Sequence, residues 1–67
     1  MGLVEIVVSP GTRVRIDGAV AGTGPRVEAI AAPGFHEIRI EQDGGSDKQV
    51  VEVRAGKTTR VRAALPP

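Results

Sequence analysis

The chain has no cysteine, no tryptophan and no tyrosine, and only one phenylalanine and one histidine among 67 residues. The missing cysteine excludes a disulfide scaffold and every thiolate metal site. A domain without such staples stands on its hydrophobic core alone, and a chain this short buries only about 60% of its unfolded surface on folding. No apolar run approaches ~18 residues, so no segment is long enough for a membrane-spanning helix and no direct membrane insertion is expected. The start, Met1-Gly2-Leu3-Val4-Glu5, has neither the basic n-region nor the apolar h-region of a signal peptide. Charge of one sign is also missing. Nine Lys and Arg stand against eight Asp and Glu, a net charge of +1. That balance argues against an obligate nucleic-acid binder, which would be strongly basic.

What is present favours strands. The chain has 10 Val, 5 Ile and 4 Thr against 2 Leu, and branching at Cβ suits a pleated sheet better than a helix. Nine Gly and five Pro fall in clusters that cut the chain into short pieces. No piece carries a helical periodicity over about a dozen residues. The pattern predicts a small all-β domain, an antiparallel β-sandwich of about seven short strands. The domain is expected over residues 3–65, with Pro66-Pro67 as the remnant of a linker.

Strands are expected at Leu3–Val8, Arg13–Asp17, Arg26–Ile30, Phe35–Glu41, Lys48–Ala55 and Thr58–Leu65, with a very short one at Ala19–Ala21. Ser9-Pro10-Gly11-Thr12 and Ala31-Ala32-Pro33-Gly34 read as turns, Gly22-Thr23-Gly24-Pro25 as a loop, and Gln42–Asp47 as a polar turn. Asp17-Gly18 is the strongest two-residue hairpin signal. Alternation assigns the core to Val4, Ile6, Val8, Val14, Ile16, Val27, Ile38, Ile40, Val51, Val53, Val61 and Leu65, and also turns Ala55 inward.

Several segments together resemble the PEGA domain family. They are Pro10-Gly11-Thr12, the strand Val14-Arg15-Ile16 ending in Asp17-Gly18, the loop Gly22-Thr23-Gly24-Pro25, the turn Pro33-Gly34-Phe35-His36, and Ala55-Gly56-Lys57-Thr58-Thr59 before the last strand. The chain departs from the family pattern in two places. Ser9-Pro10 joins Gly11 directly, without the usual intervening residue. Asp43-Gly44-Gly45-Ser46 stands where the family has Gly-Tyr. The resemblance implies a small β-sandwich module without enzymatic activity. It also implies a parent among bacterial or archaeal envelope proteins, or the tails of membrane-anchored Ser/Thr protein kinases, and so a place outside the cytoplasm.

His36 is the only side chain that titrates near neutrality in its unperturbed state. Alternation places it with Ile38 and Ile40, and a structural role is expected, with a ring nitrogen bonded to a turn backbone. Ser9, His36 and Asp17 could be written as a triad, but the spacing shows no nucleophile elbow. Asp43 and Asp47 lack the ligand pattern of a calcium loop. Gly22-Thr23-Gly24 lacks the Lys and the following helix of a phosphate-binding loop. No catalytic residue, metal, cofactor or small-molecule substrate is therefore expected.

Arg13, Arg15, Arg39, Arg54, Arg60 and Arg62 all take outward positions. On neighbouring strands they would form a basic stripe interleaved with Glu37, Glu41 and Glu52. Two functional readings follow. One is a non-catalytic interaction or spacer module that binds a protein, or another copy of itself, along a sheet edge. The edge beside the short Ala19–Ala21 strand is the candidate. The other is a module that binds an anionic partner through the arginines: an acidic protein, a polysaccharide or, least favoured, a nucleic acid. Single-strand platforms need stacking aromatics, and Phe35 is the only one here.

Overall fold

A computed structural model describes residues 1–62 of the chain. Leu65, assigned above to the core, and Pro66-Pro67, expected as a linker remnant, lie outside the described residues. The alternation at the start produces β1 (Gly2–Val7), whose Val4 and Ile6 are fully buried while Val7 faces out. The strands that follow are β2 (Arg13–Ile16), β3 (Ala19–Thr23), β4 (Arg26–Ala31), β5 (Gly34–Gln42), β6 (Gly45–Val53) and β7 (Thr58–Arg62). They form two sheets, one in the order β4-β1-β7 and the other in the order β3-β2-β5-β6. The inner faces of the two sheets close on one aliphatic core. This is a small all-β sandwich of seven strands. Every neighbouring pair is antiparallel except β1 and β7, which run parallel because the last strand returns beside the first in the same direction.

The Asp17-Gly18 hairpin forms as expected. Ile16 pairs with Ala19, and both turn residues take positive φ, 52° at Asp17 and 87° at Gly18. That conformation matches the right-handed twist of the flanking strands. Asp43-Gly44 makes a second two-residue turn, between Gln42 and Gly45, with Gly44 at φ 88°. The polar turn expected over Gln42–Asp47 is therefore shorter than its composition suggests. Gly45, Ser46 and Asp47 join β6, because pairing with β5 satisfies their backbone whatever their intrinsic preference.

Three further expectations are corrected. The third strand is five residues long, since Gly22 and Thr23 continue the ladder opposite Val14 and Arg13. The register shifts between Val14 and Arg15, which leaves Ala21 as the extra residue of a bulge, a break in alternation that the sequence pattern hid. Ala55 is exposed, because β6 ends at Val53 and Ala55 lies in the turn to β7. Ile16 and Val51 are half-buried at the margin of the core rather than in it.

The buried set is Val4, Ile6, Val8, Val14, Val27, Ile38, Ile40, Val53 and Val61, joined by Ala31, which was expected in a turn. Thr12 is the one buried polar residue among the described residues. Its hydroxyl donates to Gln42 Oε1 at 3.1 Å, its N–H donates to the Ser9 carbonyl at 3.1 Å, and its carbonyl accepts from the Gly24 N–H at 2.7 Å. This satisfied site ties the first turn to the Gly24-Pro25 crossing, whose peptide bond is cis. Gly24 has to be glycine, since a Cβ there would sit 2.5 Å from Val8 Cγ2 and 2.7 Å from the Ser9 carbonyl oxygen.

Candidate functional site

His36 stands on the inner face of β5 at the end of the sandwich where the β2–β3 turn and the β4–β5 turn meet. Its Nδ1 lies 2.5 Å from Asp17 Oδ2 and its Nε2 lies 2.7 Å from the Ala32 carbonyl oxygen. Both partners are acceptors, so the ring satisfies both only when doubly protonated. The Asp17 carboxylate first, and the Ala32 carbonyl second, raise the His36 pKa above its ordinary value. Reciprocally, the His36 hydrogen bond, and then the Glu37 N–H at 2.9 Å on Asp17 Oδ1, hold the Asp17 carboxyl below its ordinary value. The Asp17 N–H also donates to the Glu37 carbonyl at 2.9 Å. The result is a clamp in which one hairpin turn is pinned to β5 through side chain and backbone. The expected bond from the ring to a turn backbone is present, and the aspartate partner is added to it. Both ring nitrogens are engaged, by Asp17 and by the Ala32 carbonyl, and neither is bonded to Ser9.

The structure separates the six arginines. Arg13 and Arg15 on β2 and Arg39 on β5 share the outer face of the four-stranded sheet. Arg60 and Arg62 on β7 lie on the outer face of the three-stranded sheet, at the opposite side of the sandwich. Arg54 follows β6 in the turn to β7. The single basic stripe is not formed, because the residues alternate outward on two different sheets. Most of the charges are also paired. Arg15 Nε contacts Glu41 at 2.8 Å, Arg54 contacts Glu52 at 3.2 Å, Arg39 approaches Glu37 at 3.6 Å, and Arg60 approaches Glu5 at 3.7 Å. Arg15, with Arg13 and Arg39 nearby, lowers the Glu41 pKa, so this carboxylate stays ionised at the centre of the arginines. An open hollow of about 810 Å³ between Pro10-Gly11 and Gln42-Asp43 has the Arg15–Glu41 pair in its wall.

The expected reason for an open edge beside Ala19–Ala21 is corrected. β2 pairs along its whole length with β3 on one side and β5 on the other, so the neighbour's backbone is not left open, and the free side there belongs to β3 itself, a five-residue edge strand paired with β2. Among the described residues the long open edge is β6, nine residues paired only to β5. The Asp43-Gly44 turn makes Gln42 and Gly45 a hydrogen-bonded pair, and the register runs without a shift to Val53. By the alternation of antiparallel ladders, Ser46, Lys48, Val50 and Glu52 then point their N–H and C=O groups away from β5. Two of these groups are satisfied within the chain. The Lys48 N–H donates to Asp47 Oδ1 at 2.9 Å, and the Glu52 carbonyl accepts from Thr59 Oγ1 at 3.0 Å. Between them the Lys48 carbonyl, both backbone groups of Val50 and the Glu52 N–H face outward. Val50 is 66% exposed, and Phe35, diagonal to it on the same face, is 73% exposed. The sequence held one sign of this, an apolar Val50 at an outward position between Lys48 and Glu52.

Comparison with characterised families fits these features. No curated protein matches the chain. The family model described as PEGA domain matches residues 6–67, from the second half of β1 through the Pro10-Gly11-Thr12 turn, the Asp17-Gly18 hairpin, the Gly24-Pro25 crossing and the His36 clamp to the end of the chain. PEGA is a non-catalytic family of small modules, and this chain belongs to the PEGA domain family.

Proposed function

We propose that the domain is a non-catalytic interaction module of a larger protein, which takes a protein partner by accepting an extended strand on the β6 edge. The observation that carries this reading is the row of open backbone groups from Lys48 to Glu52 beside the exposed side chains of Val50 and Phe35. Main-chain bonds give such an edge its affinity, and the alternate side chains give it selectivity. A rigid, fully paired sheet behind the edge keeps the ordering cost of docking low. The commitment of both His36 nitrogens supports the absence of catalysis. On this reading the parent is an envelope protein or a membrane-anchored Ser/Thr protein kinase, with the domain outside the cytoplasm. The test is selection of random extended peptides on the folded domain, followed by amide chemical-shift mapping. Binders should shift Lys48, Val50 and Glu52. Peptides that map consistently to another surface overturn the edge assignment.

A second reading rests on the cross-strand row of Arg15, Arg39 and Lys48, three cations directly opposite one another. Like charges placed so are mutually unfavourable, and an anionic chain laid across them, with Arg13 beside them, would relieve that. Binding of a sulfated polysaccharide that weakens with salt and is lost in Arg39→Glu would support it. No binding at ~50 mM salt would end it.

A further inference from the structure

We propose that the strand accepted by the β6 edge is β6 of a second copy, paired antiparallel about a two-fold axis at Val50. This rests on the reading of β6 as the docking edge and goes beyond it by naming the occupant and the register.

The register follows from charge. With Val50 opposite Val50 of the second copy, Lys48 of each copy stands opposite Glu52 of the other. Lys48 has no ion-pair partner among the described residues. Among the described residues the Glu52 carboxylate is paired with the exposed Arg54 alone. The pairing therefore supplies two Lys–Glu pairs at directly opposed positions, where opposite charges favour association. A shift of two residues along the strand removes that match.

The hydrogen bonds agree with the same register. The Val50 pair exchanges two N–H···O=C bonds, and each Glu52 N–H donates to the other copy's Lys48 carbonyl. The remaining partners in this ladder would be the Lys48 N–H and the Glu52 carbonyl, which face each other across the seam. Those are the two groups already satisfied inside each copy, by Asp47 and by Thr59. The self-paired edge thus leaves no backbone group in the seam without a partner. A strand from an unrelated protein would present an N–H to the Glu52 carbonyl and a carbonyl to the Lys48 N–H, and would have to displace both internal bonds to use them.

The side chains complete the seam. On the outer face the two exposed Val50 side chains meet, with each Phe35 within diagonal reach. On the inner face half-buried Val51 meets Gln49 of the other copy, which extends the cover over the core. Asp47 is a charge on the core-facing side of an edge strand, opposite the buried Ile40. Such a charge discourages open-ended pairing beyond the seam. The product is a closed dimer with one continuous sheet of twice four strands, not a fibre.

The seam spans five residues per copy, at the small end of specific interfaces, so the dimer is weak and exchanging. The experiment is sedimentation equilibrium of the whole chain from ~10 μM to ~1 mM, with circular dichroism as the folding control. The apparent mass should rise above 7.0 kDa toward twice that value. Lys48→Glu alone, or Glu52→Lys alone, sets two like-charge pairs in the seam and should weaken the dimer about tenfold or more. The double variant K48E/E52K restores opposite charges and should bring dimerisation back. Val50→Pro removes an outward N–H without touching the β5 ladder and should leave a folded monomer. A dimer that ignores the charge variants, or a double variant as weak as the single ones, overturns the register. A wild-type chain that stays monomeric at ~1 mM overturns self-pairing. If peptides still shift the β6 amides in that case, the docking edge stands and its occupant is another protein. If they do not, both readings fall.

Discussion

Ile38 and Ile30 offer a test of the whole two-sheet reading, because they are the same residue type on strands with opposite orientation. Ile38 on β5 is fully buried between the sheets, and Ile30 on β4 is 73% exposed on the outer face. Ile38→Ala removes three carbons from a close-packed interior that cannot collapse freely, because β5 is paired on both sides. The cost for such a deletion is about 2–5 kcal/mol, the transfer of the lost methyl and methylene groups plus the cavity they leave. Ile30→Ala removes the same atoms from water-exposed surface and should cost less than about 0.5 kcal/mol. A domain of 67 residues holds about 3–10 kcal/mol in total. The first change therefore takes a large share of the stability and the second does not. At ~4–8 °C per kcal/mol for a domain of this size, Ile38→Ala should lower Tm by roughly 10–40 °C, and Ile30→Ala by at most about 4 °C. The absence of Trp and Tyr rules out the usual fluorescence probes, so the assay is a far-UV circular dichroism melt. If Ile38→Ala leaves no cooperative transition, Ile38→Val, with a cost of about 0.5–1.5 kcal/mol, gives the measurable value. Equal losses at positions 30 and 38 would falsify the assignment of inner and outer faces.

Three further outcomes are expected. The His36 clamp makes stability depend on pH: because folding raises the His36 pKa above 6.5, its contribution is full below that value and is lost as pH rises through the raised folded pKa. Asp17, with its pKa lowered from 3.8, contributes above that value and loses its contribution as pH falls through the lowered folded pKa. The Tm gap between the wild type and His36→Gln should therefore be widest near pH 5 to 6 and narrow on the alkaline side; a gap that widens with alkali contradicts the doubly protonated ring. Gly24→Ala must push its methyl into Val8 and the Ser9 carbonyl, and should cost about 1–3 kcal/mol by chemical denaturation. Thr12→Val keeps the shape but deprives Gln42 of a donor, and a urea titration should show a loss of about 1 kcal/mol.

Much of the fold was legible because this chain obeys period-2 patterning almost everywhere. Val4, Ile6 and Val8, then Val14, then Ile38 and Ile40, announce their inner face by alternation alone, and the Asp17-Gly18 turn fixes the register between β2 and β3 at its start. The errors fall where a local pattern is overridden by pairing. Gly22 and Thr23 read as loop, yet they finish β3 because the bulge at Ala21 restores them to the ladder. Gly45 to Asp47 have poor strand propensity, yet the second Asp-Gly turn at 43–44 zips them onto β5. That dipeptide was as readable as the first and was obscured by the polar residues around it. Ala31 looked like part of a Pro-Gly turn, but a small side chain is what the inner face of β4 accommodates where it pairs with Gly2. The parallel pairing of β1 with β7 had no local signal, since it depends on where the chain ends up after five intervening strands.

The surface was harder to read, because charge is visible in a sequence and its partition between two faces is not. A net charge of +1 with six outward arginines is consistent with one basic face or with two nearly neutral ones, and sheet membership alone decides. In the structure, Arg13, Arg15, Arg39 and Lys48 face Glu37, Glu41 and Glu52 on one outer surface, while Arg26, Arg60 and Arg62 face Glu5 and Glu28 on the other. Each outer face therefore carries one cation in excess, and neither has the field that steers a polyanion from a distance. An electrostatic partner would have to be recognised by the local row of Arg15, Arg39 and Lys48. A strand partner needs no such field. It needs open backbone groups at the right spacing, and those depend on which strand the fold leaves at an edge and which of its amides the chain itself covers. In this chain Asp47 and Thr59 cover one group on each side of Val50, so a short open stretch is bounded by internal hydrogen bonds. The length of that stretch, and not the arginine content, limits which partner the edge can take.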